Sequence, residues 1–194
     1  MMTNDSRREP NGFALPPERQ RRKWEAILAA FLAEDWATLR AIQRTGARGR
    51  ILAVLVRRCF DALGIGYASE PVFDHVPPAP WYTEFAARHG LKLATHGSYN
   101  PDFLFEDGCW VEVTLSQNTA FKRLFRYGHQ APRLVVLWLD PDEGLHRQVC
   151  EGVRFPNAVV RPVSWYYPQL EKTANGSELI RMLETLRGMK TEIL

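Results

Sequence analysis

At 194 residues, with 45% hydrophobic and 24% charged side chains, the chain has the length and composition of one soluble domain with a sizeable core. No apolar run approaches the ~18 residues of a membrane span and no signal-peptide pattern opens the sequence, which excludes membrane transport chemistry from the expected functions. The net charge of +3 is too small to demonstrate a nucleic-acid partner, and Cys59, Cys109 and Cys150 are too widely spaced for a disulfide framework or zinc knuckle, so the default compartment is a reducing cytoplasm.

Residues 1–17 are polar and carry Pro10, Pro16 and Pro17, the composition of a loose arm. Residues 18–46 read as an N-terminal extension of two short helices. Trp24, Ile27, Leu28 and Phe31 share one apolar face, and Trp36, Leu39 and Ile42 the next. The main domain is expected over 47–194. It opens with a strongly amphipathic helix over 48–63, through Ile51, Leu52, Leu55, Val56 and Phe60, stopped at Gly64. Positive charge gathers in this first part: residues 1–70 hold 12 Lys/Arg against 8 Asp/Glu, whereas residues 71–194 hold 13 against 14. The clusters Arg19, Arg21, Arg22 and Lys23, then Arg44, Arg48 and Arg50, then Arg57 and Arg58 suit phosphate contacts. Solvated helix faces explain any single cluster equally well.

Ile65 to Phe73 predicts a first strand, with Pro71 limiting its pairing. The Pro-rich stretch 74–98 reads as irregular, with a short helix at 82–89, and suits an insertion or substrate-facing loop. Two apolar segments follow, Tyr99-Asn100-Pro101-Asp102-Phe103-Leu104-Phe105 and Trp110-Val111-Glu112-Val113-Thr114. Between them Glu106-Asp107-Gly108 suits a three-residue hairpin loop, a type I turn closed by Gly in the left-handed conformation. That loop sets Asp102 opposite Glu112, on one face with Thr114. Phe103, Phe105, Val111, Val113 and Leu115 then make a dry opposite face. A two-residue Asp107-Gly108 loop would shift the register by one and part the two carboxylates.

Beyond the hairpin, residues 118–129 suit a helix carrying Phe121, Leu124 and Phe125 inward. Arg133 to Leu139 is a continuous apolar run, as in a fully buried central strand. A shorter strand over 158–163 and a helix over 177–187 complete the pattern.

Acidic residues inside apolar strands are costly to place without a partner, because an unpaired buried carboxylate costs several kcal/mol. A bound divalent cation is the usual physical reason for such a pair, so Asp102 and Glu112 read as a metal site. Other constellations are weak. His75, His89, His96, His129 and His146 show no metal spacing with the cysteines, although His96 lies shortly before the Pro-Asp pair. Ser98 and Ser116 lack a hydrolase elbow. No Gly-rich phosphate loop is present, which excludes a nucleotide cofactor from the expectation. Trp165-Tyr166-Tyr167 suits stacking on unpaired bases, and suits core packing or a subunit contact at least as well.

The order helix, strand, hairpin, helix, strand, with Pro101-Asp102 at the hairpin's start and Glu112-Val113-Thr114 in its second strand, resembles the PD-(D/E)xK nuclease superfamily over residues 48–140. The resemblance implies a restriction-endonuclease-like α/β fold: an α-β-β-β-α-β core with a mixed sheet flanked by helices. It further implies a DNA endonuclease in which Asp102, Glu112 and the backbone carbonyl of Val113 hold Mg²⁺, with Mn²⁺ as a substitute. The metal would activate a water and neutralise charge developing on the phosphate. Relatives carry a Lys two residues after the Glu, where this chain has Thr114. Lys122, on the following helix, is the expected substitute, and Gln117 a weaker one for orienting a water. Many relatives also carry a Glu on the helix before the first strand; Glu70 or Glu25 would stand in for it here. Arg48, Arg50, Arg123 and Arg126 are the expected DNA contacts, and a homodimer would supply two sites for two strands. The competing expectations are an inactive nuclease-fold module that binds DNA or assembles with partners, and an unrelated α/β protein.

Overall fold

A computed structural model describes residues 18–42, 47–92, 98–139 and 155–189. The expected arm over 1–17, Arg44, His96, His146 and Cys150 lie outside the described residues, as do the side chains of Arg19, Arg21, Lys23, Trp24, Trp36 and Ile42. In chain order the helices are α1 (Glu18–Leu32), α2 (Trp36–Ile42), α3 (Ala47–Leu63), α4 (Pro80–His89), α5 (Gln117–Tyr127), α6 (Tyr167–Leu170) and α7 (Gly176–Gly188). The strands are β1 (Tyr67–Ser69), β2 (Phe73–Asp74), β3 (Ser98–Tyr99), β4 (Phe103–Phe105), β5 (Cys109–Thr114), β6 (Arg133–Trp138) and β7 (Ala158–Pro162).

Five strands form one mixed sheet in the order β1-β4-β5-β6-β7. β4 runs antiparallel to both of its neighbours, β1 and β5, whereas β5, β6 and β7 run parallel. Parallel strands need a crossover between them. α5 supplies it between β5 and β6, which is why an amphipathic helix follows the hairpin directly. β6 lies between two parallel neighbours and buries Leu134 and Val136 on one side and Leu137 on the other, so its apolar run carries no alternation.

Each face of the sheet has its own core. On one, α3 lays Ile51, Leu52, Leu55 and Phe60 against Phe103, Val111, Val113 and Leu137. Ile27, Leu28 and Phe31 of α1, Leu39 of α2 and Leu179, Leu183 and Leu186 of α7 join that core. The N-terminal helices therefore add a layer to the same hydrophobic body. On the other face, Ala120, Leu124 and Tyr127 of α5 cover Leu104, Trp110, Leu134, Val136 and Trp138.

The first strand is shorter than the apolar run 65–73 predicts. β1 ends at Ser69 because Glu70 takes a left-handed φ of 47° and Pro71 has no N–H to extend the ladder. Phe73 and Asp74 leave the main sheet and pair with Tyr99 and Ser98 in a separate two-stranded sheet. Phe125, expected inward, is instead 56% exposed, since Ala120, Leu124 and Tyr127 already define the buried stripe of α5.

Candidate functional site

The hairpin register decides what the acids can do, and it is set by the turn. Gly108 takes φ 80° and donates its N–H to the Phe105 carbonyl at 2.9 Å, closing the loop over Glu106, Asp107 and Gly108. Phe103 then faces Val111, and Leu104 faces Trp110. Continued by one residue, that register puts Asp102 opposite Glu112 on the α5 side, one residue out of phase with the Phe103 and Val111 core.

Asp102 is fastened where β4 begins. Its Oδ2 accepts from the Val113 N–H at 2.8 Å, and its carbonyl accepts from the Glu70 N–H at 2.9 Å. In this register the residue facing Val113 is Pro101, which has no N–H to give. Both backbone groups of a strand residue point to the same neighbour. The Val113 carbonyl thus points toward the Asp102 end of the hairpin with no ladder donor from that strand. The Pro-Asp pair has a physical role in both residues: the Pro withholds a donor, and the Asp takes the opposing N–H.

Glu112 is 0% exposed. Among the described residues neither of its carboxyl oxygens receives a hydrogen bond, although Nε of Arg123 stands 2.9 Å from Oε2 as an ion pair. Burial, then the negative charge of Asp102, raises the Glu112 pKa to about 9; Arg123 and Tyr127 act against this. Burial also raises Asp102, opposed chiefly by the Val113 N–H and by Arg123. The two carboxyls therefore titrate as a coupled pair, with the proton resting on Glu112 at neutral pH. The Tyr127 hydroxyl donates to the Asn100 carbonyl at 3.1 Å, and the Arg123 guanidinium lies 5.9 Å from the Tyr127 ring centre.

The other sequence candidates divide between this site and elsewhere. Glu70 is brought next to Asp102, where its charge helps raise the Asp102 pKa, and its own carboxylate is paired with Arg50 at 2.7 Å. Glu70, Asp102, Phe103 and the α3 residues Ala53, Val54 and Arg57 line one groove at this end of the sheet. Glu25 instead bridges to Arg57 at 3.5 Å and Arg58 at 3.1 Å. Thr114 is buried, and its hydroxyl is engaged within the chain. This hydroxyl donates to the Ser116 carbonyl and accepts from the Ser116 N–H, fastening the turn into α5, where the Ser116 hydroxyl accepts from the Thr119 N–H as the helix cap.

Lys122 is exposed, whereas Arg123, about 100° further round the helix, turns onto Glu112. The sequence reading named Arg123 only as a DNA contact and missed its pairing. The signal was in the spacing: Arg123 lies three residues after Ala120 and four before Tyr127, on the stripe that faces the sheet. Arg48, the other expected DNA contact, is half-buried and donates to the Leu186 carbonyl near the end of α7 at 3.2 Å, as a basic side chain at a helix C-terminus does. Arg50 remains 42% exposed beside Glu70, and Arg126 is exposed with its guanidinium 5.3 Å from the Tyr127 ring centre. Trp165-Tyr166-Tyr167 splits as well. Tyr166 packs against Phe60, the Tyr167 hydroxyl donates to Glu184, and only Trp165 is exposed, under Arg161.

No three His, Cys, Asp or Glu side chains converge as a metal-holding group among the described residues. The donor set that fits a cation is narrower: two carboxylates and one main-chain carbonyl. All three are hard oxygen ligands of the kind Mg²⁺ takes alongside waters and substrate phosphate. Arg123 is the cation that the structure places against the buried Glu112 oxygens. No helix among the described residues is long and apolar enough to cross a membrane. Compared with protein-family models, curated proteins and solved structures, the chain gives no match.

Proposed function

We propose that this protein is a metal-dependent DNA endonuclease of the restriction-endonuclease-like fold, hydrolysing phosphodiester bonds at Asp102 and Glu112. One observation carries the reading. Two carboxyls on adjacent antiparallel strands share a face, and the buried member has both oxygens without a hydrogen bond, beside a main-chain carbonyl that its strand partner Pro101 cannot satisfy. The element order α3-β1-β4-β5-α5-β6 is consistent with the α-β-β-β-α-β core of that fold.

Asp102, Glu112 and the Val113 carbonyl would hold Mg²⁺ or Mn²⁺. The bound ion supplies Lewis-acid chemistry, acidifying water and offsetting phosphate charge. Asp102 is kept in position by the Val113 N–H, and Glu112 gives up its proton before it can serve as a charged ligand. Arg123 takes the cationic role that the sequence assigned to Lys122, because it already stands at the acid pair and its guanidinium stays charged at any working pH. Glu70, held by Arg50, adds charge at the mouth of the groove.

The second reading, an inactive module that keeps the fold, is favoured by one specific feature: Arg123 already supplies Glu112 with a positive partner. Incubating plasmid, linear and branched DNA with the protein and Mg²⁺ or Mn²⁺ separates the two. Metal-dependent cleavage that disappears in both Asp102→Asn and Glu112→Gln, with the fold retained, supports the enzyme. No cleavage of any DNA form by the wild type, together with no metal-induced rise in Tm, would give the site to the inactive module.

A further inference from the structure

A second surface begins on the far side of the same helix. Phe125 projects from α5 with 56% of its area exposed, and its ring meets Phe155 at 5.6 Å. Phe155 meets His129 at 5.2 Å, and His129 stacks on Tyr82 at 4.0 Å with 19° between planes. Tyr82 stacks near-parallel with Phe85 at 6.5 Å, and Phe85, itself 43% exposed, meets His89 at 4.4 Å. Six rings thus run without a break from α5 to α4. Burial lowers the His129 pKa, so its imidazole is neutral at pH 7 and stacks as an uncharged ring.

The charge beside this row is positive on α5 and balanced on α4. Lys122 and Arg126 are exposed three residues before and one after Phe125, and α5 has no acidic residue. On α4, exposed Arg88 follows Phe85 and exposed Glu84 precedes it, so the phosphate-binding charge comes chiefly from Lys122 and Arg126 of α5. Exposed rings at both ends of an aromatic row, with cations beside its α5 end, match a polymer of flat bases on a phosphate chain. Duplex bases are stacked on each other and offer no face to a protein ring, whereas each base of a single strand does. Base–aromatic stacking also tolerates any sequence.

We infer that the Phe125–Phe85 aromatic row binds single-stranded DNA, with Lys122, Arg126 and Arg88 on the phosphates. The choice of DNA rests on the nuclease reading of the acid pair beneath α5, and it would make the substrate a branched, gapped or flapped molecule with an unpaired strand.

The test uses the full chain in EDTA, so that cleavage plays no part, and fluorescence anisotropy with three labelled probes of equal length: oligothymidine, an abasic oligomer and a duplex. Oligothymidine is expected to bind at least tenfold tighter than either of the others. Phe125→Ala and Phe85→Ala should each weaken oligothymidine binding by roughly five- to hundredfold. Phe125→Trp should restore it, and circular dichroism should show all variants folded, because both rings are exposed. Equal affinity for the abasic oligomer or the duplex would overturn the inference, as would unchanged binding in both alanine variants. A concentration-dependent dimer that Phe125→Ala dissolves would assign the face to a second copy and overturn it too. Phe-dependent binding without cleavage under Mg²⁺ upholds the single-strand surface while removing the nuclease reading. Cleavage with no preference for the unpaired strand does the reverse.

Discussion

Glu112 is where the chain departs furthest from what a strand interior prefers. A carboxyl with no exposed surface is held there by surrounding structure, with Arg123 Nε 2.9 Å from its Oε2. Its folded pKa of about 9 stands above the ordinary 4.5, so between those values the unfolded chain has lost the proton that the folded chain keeps. Stability therefore falls as pH rises from about 4.5 to about 9, and levels off above, at about 1.4 kcal/mol for each unit separating the two pKa values. Glu112→Gln removes the titration while keeping the shape. Unfolding free energies from urea titrations across pH 5 to 9 are expected to fall in the wild type relative to the Gln variant. Mg²⁺ should recover part of that loss at high pH in the wild type and none in the variant, since the ion binds the deprotonated form. Parallel pH profiles for the two proteins would mean that Glu112 is not protonated in the folded state.

At the scale of elements, α5 joins the sheet, the acid pair and the aromatic row, and its neighbouring cations have opposite tasks. Arg123 meets Glu112 at 2.9 Å while Lys122 is exposed. In a cleavage assay under Mg²⁺, Lys122→Ala should keep kcat within a few-fold. Arg123→Gln should lose roughly a hundredfold or more, the usual cost of removing one preorganised charge from a transition state. The reverse ranking would return the role to Lys122. That assignment was half legible in the sequence. Alternating apolar residues and Gly108 gave the hairpin register and the shared face of Asp102 and Glu112, because both depend on local turn chemistry and a period of two. The end of β1 was only partly legible: Pro71 marked a limit to pairing, but the apolar Val72 and Phe73 beyond it extended the expected strand, and the left-handed φ at Glu70 that turns the chain away depends on tertiary context. Phe125 was read inward on hydrophobicity alone, whereas the stripe through Ala120, Leu124 and Tyr127 already filled the inner face. Arg123 was missed because charge was read as exposure, and a pairing across eleven residues depends on how the helix docks on the sheet.

For the whole molecule, formal charge by region is a poor guide to which cations meet a phosphate. The positive excess lies in residues 1–70, yet Arg48 is directed to the Leu186 carbonyl, Arg50 to Glu70, and Arg57 and Arg58 to Glu25. Those pairs hold α1, α3 and α7 together and fix the groove beside Asp102. Cations exposed near the aromatic row come from the later, nearly neutral part of the chain. Charge reversal should therefore have opposite consequences in the two regions. Arg48→Glu places an acid beside a helix C-terminus and removes a half-buried hydrogen bond, so it should lower stability by about 1–3 kcal/mol and alter DNA affinity only through unfolding. Arg126→Glu should leave Tm nearly unchanged and weaken single-strand binding. Because each neutralised phosphate releases counterion, a plot of log affinity against log salt should lose about 0.7 of slope when Arg126 is replaced by Ala, and the same again for Lys122. A slope unaffected by both replacements, but reduced in a folded Arg50→Ala variant, would place the phosphate path along α3 and the groove at Glu70, away from α5.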